Sequence, residues 1–126
     1  EAIEKLKEAA QEQGANQATV LKSVGGFHTE LMRPAQEKLE AKLKEVLPRM
    51  RPPRCDVYMN SIGHRVTKGT HPAEIAQMLS TQLCAPVLWE AEVAQMIRDG
   101  LTDFYEVGPG KQLKEIMRRI DPIAFR

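Results

Sequence analysis

Short β-branched or apolar runs alternate along this chain with apolar stripes at helical spacing, and that alternation limits the fold more than any other feature. Ile3, Leu6 and Ala10 recur among Glu and Lys between Ala2 and Gln13, which predicts an amphipathic helix that Gly14 stops. Thr19 to Val24 then reads as a short strand running into Gly25-Gly26. Pro34 fits the opening turn of a second helix, with Leu39, Leu43, Val46 and Leu47 on one face and Pro48 at its end. After the turn Arg51-Pro52-Pro53-Arg54, the apolar run Cys55 to Met59 predicts a buried strand that ends at Asn60. Residues 63–70 read as a loop or hairpin. A third helix begins at Pro72, carries Ile75, Met78 and Leu79, and is bounded by Pro86; a fourth carries Trp89, Val93, Met96 and Ile97 and closes at Gly100. Phe104 to Val107 predicts a last strand, and Leu113, Ile116, Met117 and Ile120 the stripe of a final helix.

Strands alternating with helices predict an α/β architecture with a largely parallel sheet. About three strands fall short of the roughly five or six in an average sheet, so the sheet is expected to continue in further sequence. The first residue is not Met and the chain opens inside a charged helical pattern, which places the expected natural N-terminus upstream.

With 126 residues and 42% hydrophobic content, one compact unit can bury a core. The 18 basic and 17 acidic residues give a formal net charge of +1, which argues against a nucleic-acid binder. Any basic surface must be local, as at Arg49, Arg51 and Arg54 or at Lys111, Lys114, Arg118 and Arg119, where a solvated face explains the charges. Cys55 and Cys84 have no CxxC spacing, which favours reduced thiols inside a cell. No apolar run has the length of a membrane span, so no membrane association is expected.

His28 is the position that most suggests chemistry. It follows a strand and a glycine pair and precedes a helix start, where strand ends of α/β proteins face a ligand crevice and a helix N-terminus works against the imidazolium. A lone histidine also serves structure, and position alone leaves both readings open. His28, His64, His71, Cys55 and Cys84 form no close pair at metal-ligand spacing, so no metal is expected. Gly108-Pro109-Gly110-Lys111 lacks both the four-residue spacing and the following hydroxyl of a phosphate loop, Gln112 standing there instead, and reads as a helix entry. No serine sits in a Gly-x-Ser-x-Gly elbow: Ser61 has Gly63 after it but Met59 before it, and Ser23 and Ser80 have neither glycine. If His28 is a base, its nucleophile lies outside this chain.

Taken in order, Gly26-Phe27-His28, Leu31-Met32 with Pro34, Asn60 after an apolar run, Gln82-Leu83 with Pro86-Val87 and Trp89, and Tyr105-Glu106-Val107-Gly108-Pro109-Gly110-Lys111 with Leu113 resemble the C-terminal part of malonyl-CoA:acyl carrier protein transacylases. The resemblance covers nearly the whole chain. It implies a hydrolase-like, parallel-sheet α/β core with an inserted ferredoxin-like small subdomain. Residues 1–24 would be the last helix and strand of that subdomain, and residues 25–126 the C-terminal part of the core.

The same resemblance implies malonyl transfer from CoA to acyl carrier protein in fatty-acid synthesis, through a malonyl-serine ester, with malonyl-CoA as substrate and no cofactor. His28 matches the catalytic histidine, and the main-chain carbonyl of Gln82 would accept its Nδ1 proton; an exposed helix-end amide is the other reading of Gln82. Phe27 would narrow the pocket beside the acyl α-carbon, selecting malonyl over methylmalonyl by about 1–3 kcal/mol, or else pack in the core. Asn60 would support the substrate site through hydrogen bonds. The serine elbow, the oxyanion-forming Gln and the arginine for the malonyl carboxylate are absent, so the missing N-terminal part of the enzyme becomes a required partner and the fragment alone is expected to be inactive. Alternatives are an acyltransferase domain of a polyketide or multifunctional fatty-acid synthase, and a non-catalytic protein-binding module. The implied location is the bacterial cytoplasm, or a mitochondrion or plastid.

Overall fold

The computed structural model of the protein describes residues 1–20 and 25–125. Five α-helices carry most of the order: α1 (Ala2–Glu12), α2 (Arg33–Val46), α3 (Pro72–Thr81), α4 (Trp89–Arg98) and α5 (Gln112–Ile120). Single 3-10 turns at Glu30–Met32 and Leu47–Arg49 flank α2. Two strands, β1 (Val57–Tyr58) and β2 (Arg65–Val66), pair antiparallel, with Val57 opposite Val66 and Tyr58 opposite Arg65.

The helices begin and end where local chemistry dictates. Gly14 and Gly100, at φ 87° and 88°, take the left-handed conformation that ends α1 and α4. Pro72 opens α3, where a missing N–H costs nothing, and the Nδ1 of His71 accepts from the Ala73 N–H at 3.2 Å. The Glu106 carboxylate caps α5 from outside, accepting from the N–H groups of Leu113 and Lys114 at 3.1 Å each. Those donors have no partner within the helix, so the acidic residue of the Glu-Val-Gly-Pro-Gly segment has a structural task at the α5 entry.

The sheet differs from the sequence-based expectation. Among the described residues it is one antiparallel hairpin and contains no parallel pair. Cys55–Met59 is not a strand buried on both faces: only Val57–Tyr58 pair, Cys55 and Val57 are exposed, and Met59 is buried. Phe104–Val107 pairs with no strand among the described residues, and Tyr105 and Val107 are 86% and 97% exposed. A strand is stabilised only by neighbours that take its N–H and C=O groups, and these residues have none here. Of the expected strand Thr19–Val24, Thr19 and Val20 have no regular structure, and residues 21–24 lie outside the described residues.

The core is small. Val66, Val93, Met59 and Met117 are its buried apolar side chains, where β2, α4 and α5 meet. α2 and α3 form a second packed pair. A cleft of about 520 Å³ opens between α4, residues 102–106 and α5, with Trp89, Met96, Phe104 and Phe125 in its walls.

Candidate active site

The loop before α2 is built around two tight approaches. A Cβ on Gly26 would lie 2.8 Å from Leu31 Cδ1 and 3.1 Å from both Leu31 Cβ and Thr29 Oγ1, so a larger residue there would push the exposed Leu31 side chain aside. Thr29 Oγ1 donates to the Gly26 carbonyl at 2.6 Å and accepts from the Leu31 N–H at 3.3 Å, joining the glycine to the 3-10 turn that leads into α2. Between these anchors His28 adopts φ 61°, and it is the one residue other than glycine with positive φ among the described residues. Such a backbone costs about 1–2 kcal/mol for a residue with a Cβ, so something must hold it.

What holds it is the far end of α3. His28 Nδ1 lies 2.9 Å from the main-chain oxygen of Gln82 and 3.1 Å from that of Ala85. α3 ends at Thr81, and Gln82 spends its own N–H on Met78. Carbonyls at a helix C-terminus have no partner inside the helix, and Ala85 lies beyond the end of α3, so both are available to the ring. Carbonyl oxygens only accept. Nδ1 therefore carries the hydrogen, and in the neutral ring Nε2 is left with its lone pair, the form a proton acceptor requires.

The site residues expected from sequence fare differently. His28 and the Gln82 carbonyl are brought together, and the Gln82 side chain makes no hydrogen bond to the ring. The sequence suggested a helix N-terminus as the ring's electrostatic neighbour; the structure adds the carbonyl end of a different helix, which meets Nδ1. Phe27 is 55% exposed among the described residues. Asn60 is exposed and binds through its main-chain oxygen, which accepts from the Leu88 N–H at 2.7 Å; its side chain makes no hydrogen bond to His28 among the described residues. Ala85, whose carbonyl also meets the ring, was missed. Ser80 is 3% exposed and its hydroxyl donates to Glu40 Oε1 at 2.7 Å, an arrangement unsuited to a nucleophile.

One buried acid stands apart. Glu92 is 1% exposed with Oε1 unpartnered, and burial pushes its carboxyl above the usual range. Among the described residues no three His, Cys, Asp or Glu side chains cluster as metal ligands, and no helix is long and apolar enough to cross a membrane.

Comparison with solved structures assigns the class: the arrangement of these elements is a segment of an α/β acyltransferase fold. An acyl-carrier-protein S-malonyltransferase from Burkholderia pseudomallei superposes with a TM-score of 0.81 at 37% identity, over 95% of this chain and 38% of that one. A malonyl-transacylase solved in complex with a type II polyketide-synthase acyl carrier protein gives 0.79 at 29% identity, over 94% of this chain and 37% of that one. No protein-family model matches the chain. The malonyl CoA-acyl carrier protein transacylase of Bacillus subtilis is 39% identical over 127 aligned residues, 97% of this chain. The chain is thus homologous, along nearly all its length, to a segment of the malonyl CoA-acyl carrier protein transacylases. It spans 38% of the length of that Bacillus relative.

Proposed function

We propose that this chain is the C-terminal part of an enzyme that transfers a malonyl group from coenzyme A to acyl carrier protein in fatty-acid synthesis, with His28 as its proton carrier. The carrying observation is the pair of carbonyl contacts to His28 Nδ1, which leave Nε2 free to accept a proton. A serine hydroxyl in the rest of the protein attacks the thioester carbonyl carbon while Nε2 takes its proton. Collapse of the tetrahedral intermediate expels CoA thiolate, which leaves with that proton, and a malonyl-serine ester remains. The phosphopantetheine thiol of acyl carrier protein then attacks the ester, and Nε2 passes the thiol's proton back to the serine oxygen. The Gln82 and Ala85 carbonyls hold the ring's orientation and face its positive charge in each half-reaction.

The finer assignments follow the same reading. Residues 1–24 close a ferredoxin-like subdomain, and residues 25–126 belong to a hydrolase-like core whose parallel strands lie in the N-terminal part of the protein. Phe104–Val107, unpaired among the described residues and with Tyr105 and Val107 exposed, and the cleft beside it support that placement, since a strand between neighbours would bury those two side chains. On this reading Phe27, exposed here, borders the acyl pocket, and Asn60 supports the substrate site. The enzyme works inside the cell, in bacterial cytoplasm or in an organelle.

Intact-mass measurement after incubation with malonyl-CoA tests the proposal. A malonyl adduct on the complete protein, absent from residues 1–126 alone and lost in the complete His28→Ala variant, is expected. No adduct on the folded complete protein would favour a protein-binding module. Adduct formation unaffected by His28→Ala would remove the histidine from the mechanism.

A further inference from the structure

We propose that Ser80 and Glu40 are positioning residues for His28, a reading that rests on the transacylase function above. His28 reaches its acceptors across two helices: its loop leads into α2, and the carbonyls it uses follow α3. Any slide of α3 along α2 moves the acceptors relative to the ring. Along their contact runs a groove of about 360 Å³, with Leu43, Ala73 and Ala76 in its walls and Glu40 and Ser80 among its lining residues.

Across this contact, one hydrogen bond joins the helices among the described residues: the Ser80 hydroxyl to Glu40 Oε1, at 2.7 Å. Ser80 is 3% exposed, and an acceptor carrying charge makes the bond stronger and more directional than a neutral one. Ser80 precedes Gln82 by two residues, about 3 Å along a helix axis, so the bond fixes α3 just where the His28 acceptors emerge. Glu40 is at the middle of α2, the helix that the His28 loop leads into. The pair therefore sets the register in which the strained His28 backbone meets Gln82 and Ala85.

The test uses the complete enzyme, with turnover expressed per site that malonyl-CoA can acylate, so that loss of folded protein does not count. Ser80→Ala is expected to lower kcat by roughly 5- to 50-fold with KM for malonyl-CoA unchanged, the scale on which a misplacement of about 1 Å acts. The Nδ1–H resonance of His28 in histidine-labelled protein should broaden and exchange faster with water. Ser80→Thr and Glu40→Gln, which keep a donor and an acceptor, should restore both readouts, and the Ser80→Ala/Glu40→Ala pair should be no slower than either single variant. If Ser80→Ala does not fold, Glu40→Ala, at the less buried end, gives the same readouts. Unchanged kcat and an unchanged His28 resonance in the folded variant would overturn the positioning role. Transfer that survives His28→Ala would instead sink the transacylase reading of the site, a distinct outcome.

Discussion

The left-handed backbone at His28 makes a prediction whose sign is opposite to the ordinary one. In most loops, replacing glycine by alanine stabilises a protein by about 0.4–1 kcal/mol, because the unfolded chain loses freedom. At φ 61° an alanine also bears the steric cost of about 1–2 kcal/mol that glycine escapes. Taken at mid-range, the difference favours His28→Gly over His28→Ala by roughly 0.8 kcal/mol. Both variants lose the Nδ1 hydrogen bonding to Gln82 and Ala85, about 1 kcal/mol net, since these half-buried carbonyls can then turn to water. His28→Gly should therefore stand near the stability of the parent, and His28→Ala about 1 kcal/mol or more below it. With urea slopes of about 1–3 kcal/mol per molar, the two midpoints should differ by roughly 0.2–1 M, glycine the higher. In the complete enzyme proposed above, both substitutions should lower transfer by about 10²–10⁴-fold, separating what the residue does for catalysis from what its backbone costs. An alanine variant as stable as the glycine variant would refute the left-handed conformation, and with it the geometry that delivers Nδ1 to α3.

Two further outcomes follow from ionisation. Burial raises the Glu92 carboxyl, so its contribution to stability is present below the ordinary glutamate value of 4.5 and is lost as pH rises through the raised folded value. Glu92→Gln should raise the melting temperature at about pH 7, by the equivalent of at least about 1 kcal/mol, and leave it nearly unchanged at about pH 4; equal shifts at both would exclude the ionisation argument. The Tyr58 hydroxyl donates to Asp99 Oδ2 at 2.5 Å and, ahead of Gln95, holds that carboxyl below its ordinary range. Stability from Asp99 is thus present above the ordinary aspartate value and lost as pH falls through the depressed one. Tyr58→Phe should move the Asp99 titration, followed by carboxyl NMR, upward towards the ordinary range, and a titration that stays in place would show that the hydroxyl is not its cause.

Much of the helical organisation was legible because its determinants are local. Gly14, Gly100 and Pro72 mark helix ends through backbone properties that need no tertiary partner, and the stripes of α2 and α5 repeat at a spacing that only a helix satisfies. His28 was legible from its glycine pair, and the Gln82 carbonyl from the family resemblance. The strands were legible only in part, β1 falling inside Cys55–Met59 and β2 inside residues 63–70, because a strand is a relation between segments: Phe104–Val107 has strand-like residues and, among the described residues, no neighbour to pair with. Nor could the order of residues show that Ala85 shares His28 with Gln82, that Ser80 meets Glu40 across 40 positions, or that Glu106 caps α5. Sequence by itself determined which residues could carry a proton and where helices begin and end, since side-chain chemistry and φ preference belong to single residues. Tertiary structure alone decided which ring nitrogen bears the hydrogen, because that depends on carbonyls more than fifty residues away brought within 2.9 and 3.1 Å of the ring.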